Sequence, residues 1–117
     1  MAAAIVGEER LAVPAHFDVE VYAVFRRLFR RGVLRRARLD VITARLLRLA
    51  AERVPLPQLL PEAHRLADQF SVPDAFYVAL ARARDAELLT ADAALARAAR
   101  GVARVRLIEE EDAEPPA

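Results

Sequence analysis

The sequence predicts a single α/β domain in which helices flank a mostly parallel β-sheet. The 117 residues supply enough chain for one domain with its own core. Stretches with the apolar spacing of amphipathic helices alternate with short apolar runs of strand length along the chain. This alternation is typical of strand–helix–strand units, whose sheets carry their sites beyond the carboxyl ends of the strands.

The first half of the chain is predicted to hold one short strand and two long helices. Residues 2–7 are interpreted as the end of a short helix, and residues 11–13 as a buried strand that Pro14 ends. Apolar residues recur three and four positions apart over residues 17–31, which predicts an amphipathic helix that ends near Gly32. A second helix is expected over residues 36–51.

The second half is predicted to continue the alternation up to an acidic tail. Residues 53–58 contain two prolines and form a short strand or an extended link. Helices are expected over residues 58–70, 72–84 and 93–99, and strands over residues 86–90 and 102–108. The helix that Pro73 opens is apolar on most sides, so we expect it to be buried. Residues 1–108 form the predicted domain, and residues 109–117, with five acids, form a disordered tail.

The composition excludes several classes of protein. The chain has no cysteine, which rules out a disulfide framework and a thiol nucleophile and suits a reducing cytoplasm. No apolar run approaches the ~20 residues of a membrane span, so we expect a cytoplasmic protein without membrane contact. Glycine-rich phosphate-binding motifs are absent. The two histidines, His16 and His64, lack ligand-type neighbours in the sequence.

Arginine is concentrated in one block between the first two predicted helices. This block contains seven arginines and no acid: Arg26, Arg27, Arg30, Arg31, Arg35, Arg36 and Arg38. It is either a solvated helix end and loop, or a positive surface that attracts RNA phosphates or an acidic partner segment.

Two aspartates are candidate metal ligands, and each has an alternative structural role. Asp74 follows Ser71 at the spacing of a capping box, where an acid also interacts favourably with the helix dipole. Asp92 stands between a strand and a helix, which is a common N-cap position. Each carboxylate therefore either caps a helix or supplies oxygen ligands to a divalent cation.

Glu20 borders the apolar face of the first long helix. A carboxylate there is costly to bury unless it is paired, hydrogen-bonded or bound to a metal. It either pairs with a nearby arginine, lies just outside the core, or joins the two aspartates around a cation. A cation held by several acids can generate hydroxide near neutral pH and stabilise attack on a phosphodiester.

The segment SVPDAFYVALARARDAELLTADAALARA, residues 71–98, resembles the C-terminal signature of PIN domains, in particular of VapC-type toxins. Asp74 opens a helix of the form D-A-x-Y-x-x-L-A, and a T-x-D-x-x-L segment that contains Thr90 and Asp92 follows the next strand. Upstream, LAVPAHFDVEVYAVFRRLFRRGVL resembles the family's strand, proline and acid-bearing helix, with Glu20 at the position of the acid. The resemblance covers residues 2–108.

The resemblance implies a metal-dependent endoribonuclease that acts as the toxin of a toxin–antitoxin pair. It implies that Asp74, Asp92 and Glu20 hold Mg²⁺ or Mn²⁺ and that Thr90 orients the site by hydrogen bonding, so that these four residues form the catalytic set. It also implies an RNA substrate, a small antitoxin protein as partner, and a homodimer.

The sequence departs from the family pattern at its start. Family members begin with a central apolar strand that ends in a metal-binding aspartate, and neither feature is found before residue 2. The domain is therefore expected to be N-terminally incomplete, with open strand edges beside the missing strand. A start codon assigned too far downstream is the favoured explanation; a gene remnant or a shortened binding protein are the others. The alternative functions are an inactive module that dimerises or binds antitoxin, and a helical domain that binds nucleic acid through its arginines.

Overall fold

The computed structural model describes residues 4–7 and 10–109. Helices and short strands are interspersed there, although strands or helices also follow one another directly. In chain order the elements are β1 Ala4–Gly7, β2 Arg10–Pro14, α1 Phe17–Arg30, α2 Arg36–Leu47, β3 Ala51–Val54, α3 Leu56–Leu66, α4 Val72–Ala83, β4 Glu87–Thr90, α5 Ala93–Ala99 and β5 Val105–Leu107.

The strands form one sheet in the order β3-β2-β1-β4-β5. Its outer pairs are parallel, β2 with β3 and β4 with β5. β1 lies in the centre and runs antiparallel to both neighbours, with Ile5 opposite Ala12 on one side and Leu88 on the other. The predicted α/β class is confirmed. The parallel arrangement holds for the two outer pairs, whereas the centre of the sheet is antiparallel.

The central strand corrects two expectations from the sequence. Ala4–Gly7 forms β1 and not the end of a helix. This strand lies in the centre of the sheet, where a strand was expected to be missing. Ile5 and Val6 are β-branched residues, which favour a strand. The strands on both sides also offer hydrogen-bond partners to backbone groups that a short helix end would leave unpaired. β2 and β4 therefore have no open edge towards the centre of the sheet.

The hydrophobic core lies between the sheet and helix α4. This helix packs across β2, β1 and β4, and α3 packs on α4. Half of the α4 residues are buried, which confirms the expected buried helix. Pro73 lies in the first turn, and the Ser71 hydroxyl accepts a hydrogen bond from the Asp74 backbone N–H at 3.3 Å. We call the sheet together with α3, α4 and α5 the body.

Helices α1 and α2 pack on each other and form what we call the arm. α1 contains no buried residue, and α2 contains only Leu39. Phe17 packs against the core, and polar groups also join the arm to the body. Arg53 of β3 donates hydrogen bonds to both carboxylate oxygens of Asp18, at 3.1 and 2.9 Å. The arm thus begins at the carboxyl end of β2 and presents Glu20 in its first turn.

Candidate functional site

Three elements each bring one acid to a shared surface cavity of about 320 Å³. Glu20 lies in the first turn of α1, Asp74 lies in the first turn of α4, and Asp92 directly precedes α5. Glu20 follows β2 and Asp92 follows β4 along the chain, so the cavity lies beyond the carboxyl ends of these strands. The three acids that sequence analysis grouped together therefore line one cavity.

The Asp74 carboxyl is partly buried in this cavity and interacts electrostatically with the two other acids. Burial raises its pKa above the ordinary value; the Ser71 side chain opposes this rise, and the negative charges of Asp92 and Glu20 add to it. Asp92 and Glu20 therefore each lie close enough to Asp74 to repel its carboxylate. A cation bound between them would reduce that repulsion.

Asp92 performs the structural role that its sequence position suggests. Its Oδ1 accepts hydrogen bonds from the backbone N–H groups of Ala94, at 2.9 Å, and Leu95, at 3.1 Å, and so caps α5. Its own backbone N–H donates to the Oγ1 atom of buried Thr90 at 3.0 Å. Both capping bonds use Oδ1, so the cap leaves Oδ2 available for another ligand.

Glu20 interacts with a tyrosine and a histidine. The Tyr77 hydroxyl donates to Glu20 Oε1 at 2.8 Å, and His16 Nε2 lies 3.2 Å from the same oxygen. The side chains that contact Glu20 are therefore Tyr77 and His16 and not the arginine that the sequence suggested as a possible partner. The expectation that His16 has no ligand-type neighbour is wrong: Glu20 lies four residues later, and residues four apart share one side of a helical turn. That spacing is the sequence signal that could have revealed the contact.

The donor atoms suit a divalent metal, although the side chains do not form a complete set of ligands. Across residues 10–109, no three His, Cys, Asp or Glu side chains are arranged so that they could hold a metal ion together. The acids share a cavity without converging on one point. Mg²⁺ is commonly bound through one or two carboxylates and keeps several waters, so a site with few protein ligands fits this donor set.

One arginine of the block lines the same cavity. Arg27 lies two turns after Glu20 on α1 and contributes a positive charge to the cavity wall. Arg26 and Arg36 instead lie over the Phe29 ring, 5.1 and 5.6 Å from its centroid. The structure therefore separates an arginine beside the acids from two arginines that pack on an aromatic side chain.

Comparison with known proteins identifies the family of the chain. A family model described as PIN domain matches residues 1–101. The chain belongs to the PIN domain family. Ribonuclease VapC3 of Mycobacterium tuberculosis is 40% identical to it over 85 residues, which are 73% of this chain and 62% of that protein. Ribonuclease VapC12 of the same organism is 33% identical over 100 residues, which are 86% of this chain and 78% of that protein.

The comparisons confirm the resemblance to PIN domains and to VapC proteins that residues 71–98 suggested. This PIN domain spans 62% of the length of its VapC3 relative. The acidic stretch of residues 110–114 lies outside the described residues, so the predicted disordered tail stays a prediction.

No helix in the described part of this PIN domain has both the length and the apolar character needed to cross a bilayer.

Proposed function

We propose that this PIN domain is a metal-dependent endoribonuclease that hydrolyses RNA phosphodiesters as the toxin of a cytoplasmic toxin–antitoxin pair. The observation that carries the proposal is the cavity shared by Glu20, Asp74 and Asp92. The similarity of the chain to two proteins named as ribonucleases supports RNA as the substrate.

Asp74, Asp92 and Glu20 hold Mg²⁺ or Mn²⁺ in this proposal. When bound, the metal supplies an activated water and offsets the charge that develops on the phosphate. Burial is the main cause of the raised pKa of Asp74, and the charges of Asp92 and Glu20 add to it; this repulsion supports the assignment, because a cation between the acids would relieve it. Asp92 caps α5 through Oδ1 and offers Oδ2 to the metal. Thr90 orients Asp92 by accepting its backbone N–H.

Arg27 binds the RNA backbone next to the acids. Its side chain lines the cavity, and a guanidinium forms strong charge-assisted hydrogen bonds with phosphate oxygens. The other arginines of the block extend the positive surface along the arm. Arg26 and Arg36 contribute less, because part of each guanidinium packs on the Phe29 ring.

The protein partners are a small antitoxin and a second copy of this chain, and both use the arm. The arm exposes large apolar side chains, with between 40% and 84% of each accessible: Val19, Tyr22, Val24, Val33, Val41 and Leu47. Exposed apolar patches of this kind mark protein interfaces. The same surface supports the alternative function, an inactive module that dimerises or binds antitoxin. The incomplete metal-ligand arrangement of residues 10–109 also favours that alternative.

Cleavage of a mixed RNA pool tests the proposed activity. The chain is incubated with the pool in Mg²⁺, in Mn²⁺ and in EDTA, and fragments are mapped by sequencing. Asp74→Asn and Asp92→Asn keep the side-chain size and remove the charge. We expect each to lower the cleavage rate by about 100-fold or more, because even groups that only support metal ligands are worth about 10–100-fold.

A matched control is Asp68→Asn, which removes an exposed carboxylate outside the cavity and should cut at the wild-type rate. If the folded wild-type chain cuts no RNA with either metal, the nuclease proposal fails and the binding module replaces it. If Asp74→Asn and Asp92→Asn cut like the wild type, the acidic cavity is not the active site.

A further inference from the structure

Two side chains outside the acid set meet on a single oxygen of Glu20. The Tyr77 hydroxyl donates to Oε1 at 2.8 Å, and His16 Nε2 lies 3.2 Å from Oε1. The Tyr77 contact joins the start of α1 to α4 across 57 residues of sequence, whereas His16 lies four residues before Glu20. The carboxylate of Glu20 is therefore held from two directions by groups that are not themselves acids.

The surroundings of His16 define which of its nitrogens carries a proton. Nε2 faces two acceptors, Glu20 Oε1 and, at 3.3 Å, the backbone carbonyl oxygen of Pro73. An unprotonated nitrogen between two acceptors would be repelled by both, so Nε2 bears the hydrogen. Pro73 directly precedes Asp74, so this histidine contacts one acid, Glu20, and the residue before a second.

The other nitrogen of His16 shows that the ring is not placed there for packing alone. Nδ1 is buried and has no hydrogen-bond partner in the described chain. An unpaired buried polar atom is unfavourable, and an apolar side chain would fill the same space without that cost. The ring stands edge-on to Phe76 and Tyr77, with centroids 5.6 and 5.0 Å apart. Its useful group is therefore Nε2.

Tyr77 supplies a donor fixed by the core of the body. The residue is fully buried in α4, so its ring cannot move without disturbing the core. Its hydroxyl donates to Glu20 Oε1 from this fixed position. By contrast α1, which carries Glu20, has no buried residue to fix its own orientation.

We propose that His16 and Tyr77 are positioning residues that hold Glu20 Oε1 and so direct Oε2 to a divalent cation in the acidic cavity. Both recorded contacts within the described chain use Oε1, which leaves Oε2 as the oxygen for the metal. The inference rests on the proposed metal-dependent activity. It follows the general pattern in which hydrogen bonds to a ligating carboxylate set its orientation.

Isothermal titration calorimetry of the RNA-free protein with Mn²⁺ tests the inference without relying on cleavage. Tyr77→Phe removes only the hydroxyl, and we expect it to weaken Mn²⁺ binding by about 10-fold, the lower end for lost outer partners. His16→Leu should weaken binding similarly. His16→Gln should restore much of the affinity, because its amide can donate to Glu20 Oε1 as Nε2 does.

The chain provides a matched control, since its second histidine, His64, does not line the cavity. His64→Leu should bind Mn²⁺ like the wild type. Urea unfolding of every variant shows whether a loss of affinity merely follows a loss of stability.

Each result decides between distinct conclusions. Wild-type chain that binds no Mn²⁺ and cuts no RNA overturns the proposed function together with this inference. Wild-type chain that binds Mn²⁺, with Tyr77→Phe and His16→Leu binding equally well, overturns the positioning role alone. Equal losses for His16→Leu and His16→Gln, in step with lower stability, would assign His16 a purely structural role.

Discussion

The body and the arm of this PIN domain are held in place by different forces. In the body, α4 and the strands on which it packs bury a continuous apolar cluster that includes Val78, Leu80 and Leu88. In the arm, α1 buries no residue and α2 buries one. The arm is attached through Phe17, which packs against the core, and through polar contacts of Asp18 with Arg53 and of Glu20 with Tyr77.

This difference bears on the site, because the cavity lies where the two regions meet. Asp74 and Asp92 belong to the body, and Glu20 belongs to the arm. Apolar burial is non-directional and supplies most of the free energy of folding, whereas hydrogen bonds to charged groups fix direction. The packed body thus fixes the positions of Asp74 and Asp92, and polar contacts set the orientation of Glu20 on the arm.

The largest effect on stability is expected in the body. Leu80→Ala removes a fully buried side chain, and we expect the free energy of unfolding to fall by about 2–5 kcal/mol, because lost burial and the new cavity add together. Urea denaturation followed by circular dichroism measures the loss.

The matched substitution in the arm is Leu47→Ala. Leu47 is 84% exposed in the single chain, so at dilutions that keep the chain monomeric its truncation should change the free energy of unfolding by less than about 0.5 kcal/mol. Similar losses at both positions in the monomer would show that Leu47 packs within one chain, and would remove the distinction between body and arm.

An intermediate effect is expected at the junction of arm and body. Arg53 binds both oxygens of Asp18 and also donates to the carbonyl oxygens of Leu46, Leu49 and Ala51. Arg53→Ala should lower the free energy of unfolding by about 1–2 kcal/mol, since these bonds involve a charged donor that is only partly shielded from water. Hydrogen exchange should increase in α1 and α2 more than in α4.

Arg84→Ala is the control for Arg53→Ala, because it removes an arginine that also binds both oxygens of a carboxylate, in Glu52, but lies on the exposed surface of the body. It should leave exchange in the arm unchanged. If Arg53→Ala leaves exchange in α1 and α2 unchanged as well, polar contacts do not fix the arm.

Local signals in the sequence predicted the body better than the arrangement at its centre. The bounds of α5 and the start of α4 follow from an N-cap aspartate and from a proline in a first turn, which act within a few residues. Residues 4–7 are too few to show a helical or strand period, so their place in the sheet depends on strands that are distant in sequence.

The same limit applies to the candidate site. Glu20, Asp74 and Asp92 could be chosen from sequence motifs, and the structure places them around one cavity. Tyr77 could not be connected to Glu20, because only the packing of α4 beside α1 brings its hydroxyl to the carboxylate. Sequence spacing identifies acids that caps or motifs mark, whereas partners from a second element require the fold.

The smallest expected effect concerns the charge of Asp74 on stability. The raised pKa means that the folded state binds the proton more tightly than the unfolded state, so wild-type stability falls as pH rises above the ordinary aspartate value of 3.8 and through the higher folded-state pKa. Asp74→Asn has no such proton. The variant should therefore be more stable than the wild type at pH 7, and this advantage should shrink as the pH falls to about 4 and below.

Urea midpoints measured between pH 3 and 7 without metal test this expectation, with Asp68→Asn as the control for the change in net charge. A stabilised Asp74→Asn would show that the cavity holds negative charge at a cost to folding, a cost that a bound cation could reverse. Lower stability of Asp74→Asn at pH 7 would instead show that the favourable interactions of this carboxylate with Ser71 and the start of α4 outweigh its burial and its repulsion by Asp92 and Glu20. The acids would then stabilise the folded chain without a metal, and the proposal that a cation binds between them would lose this argument.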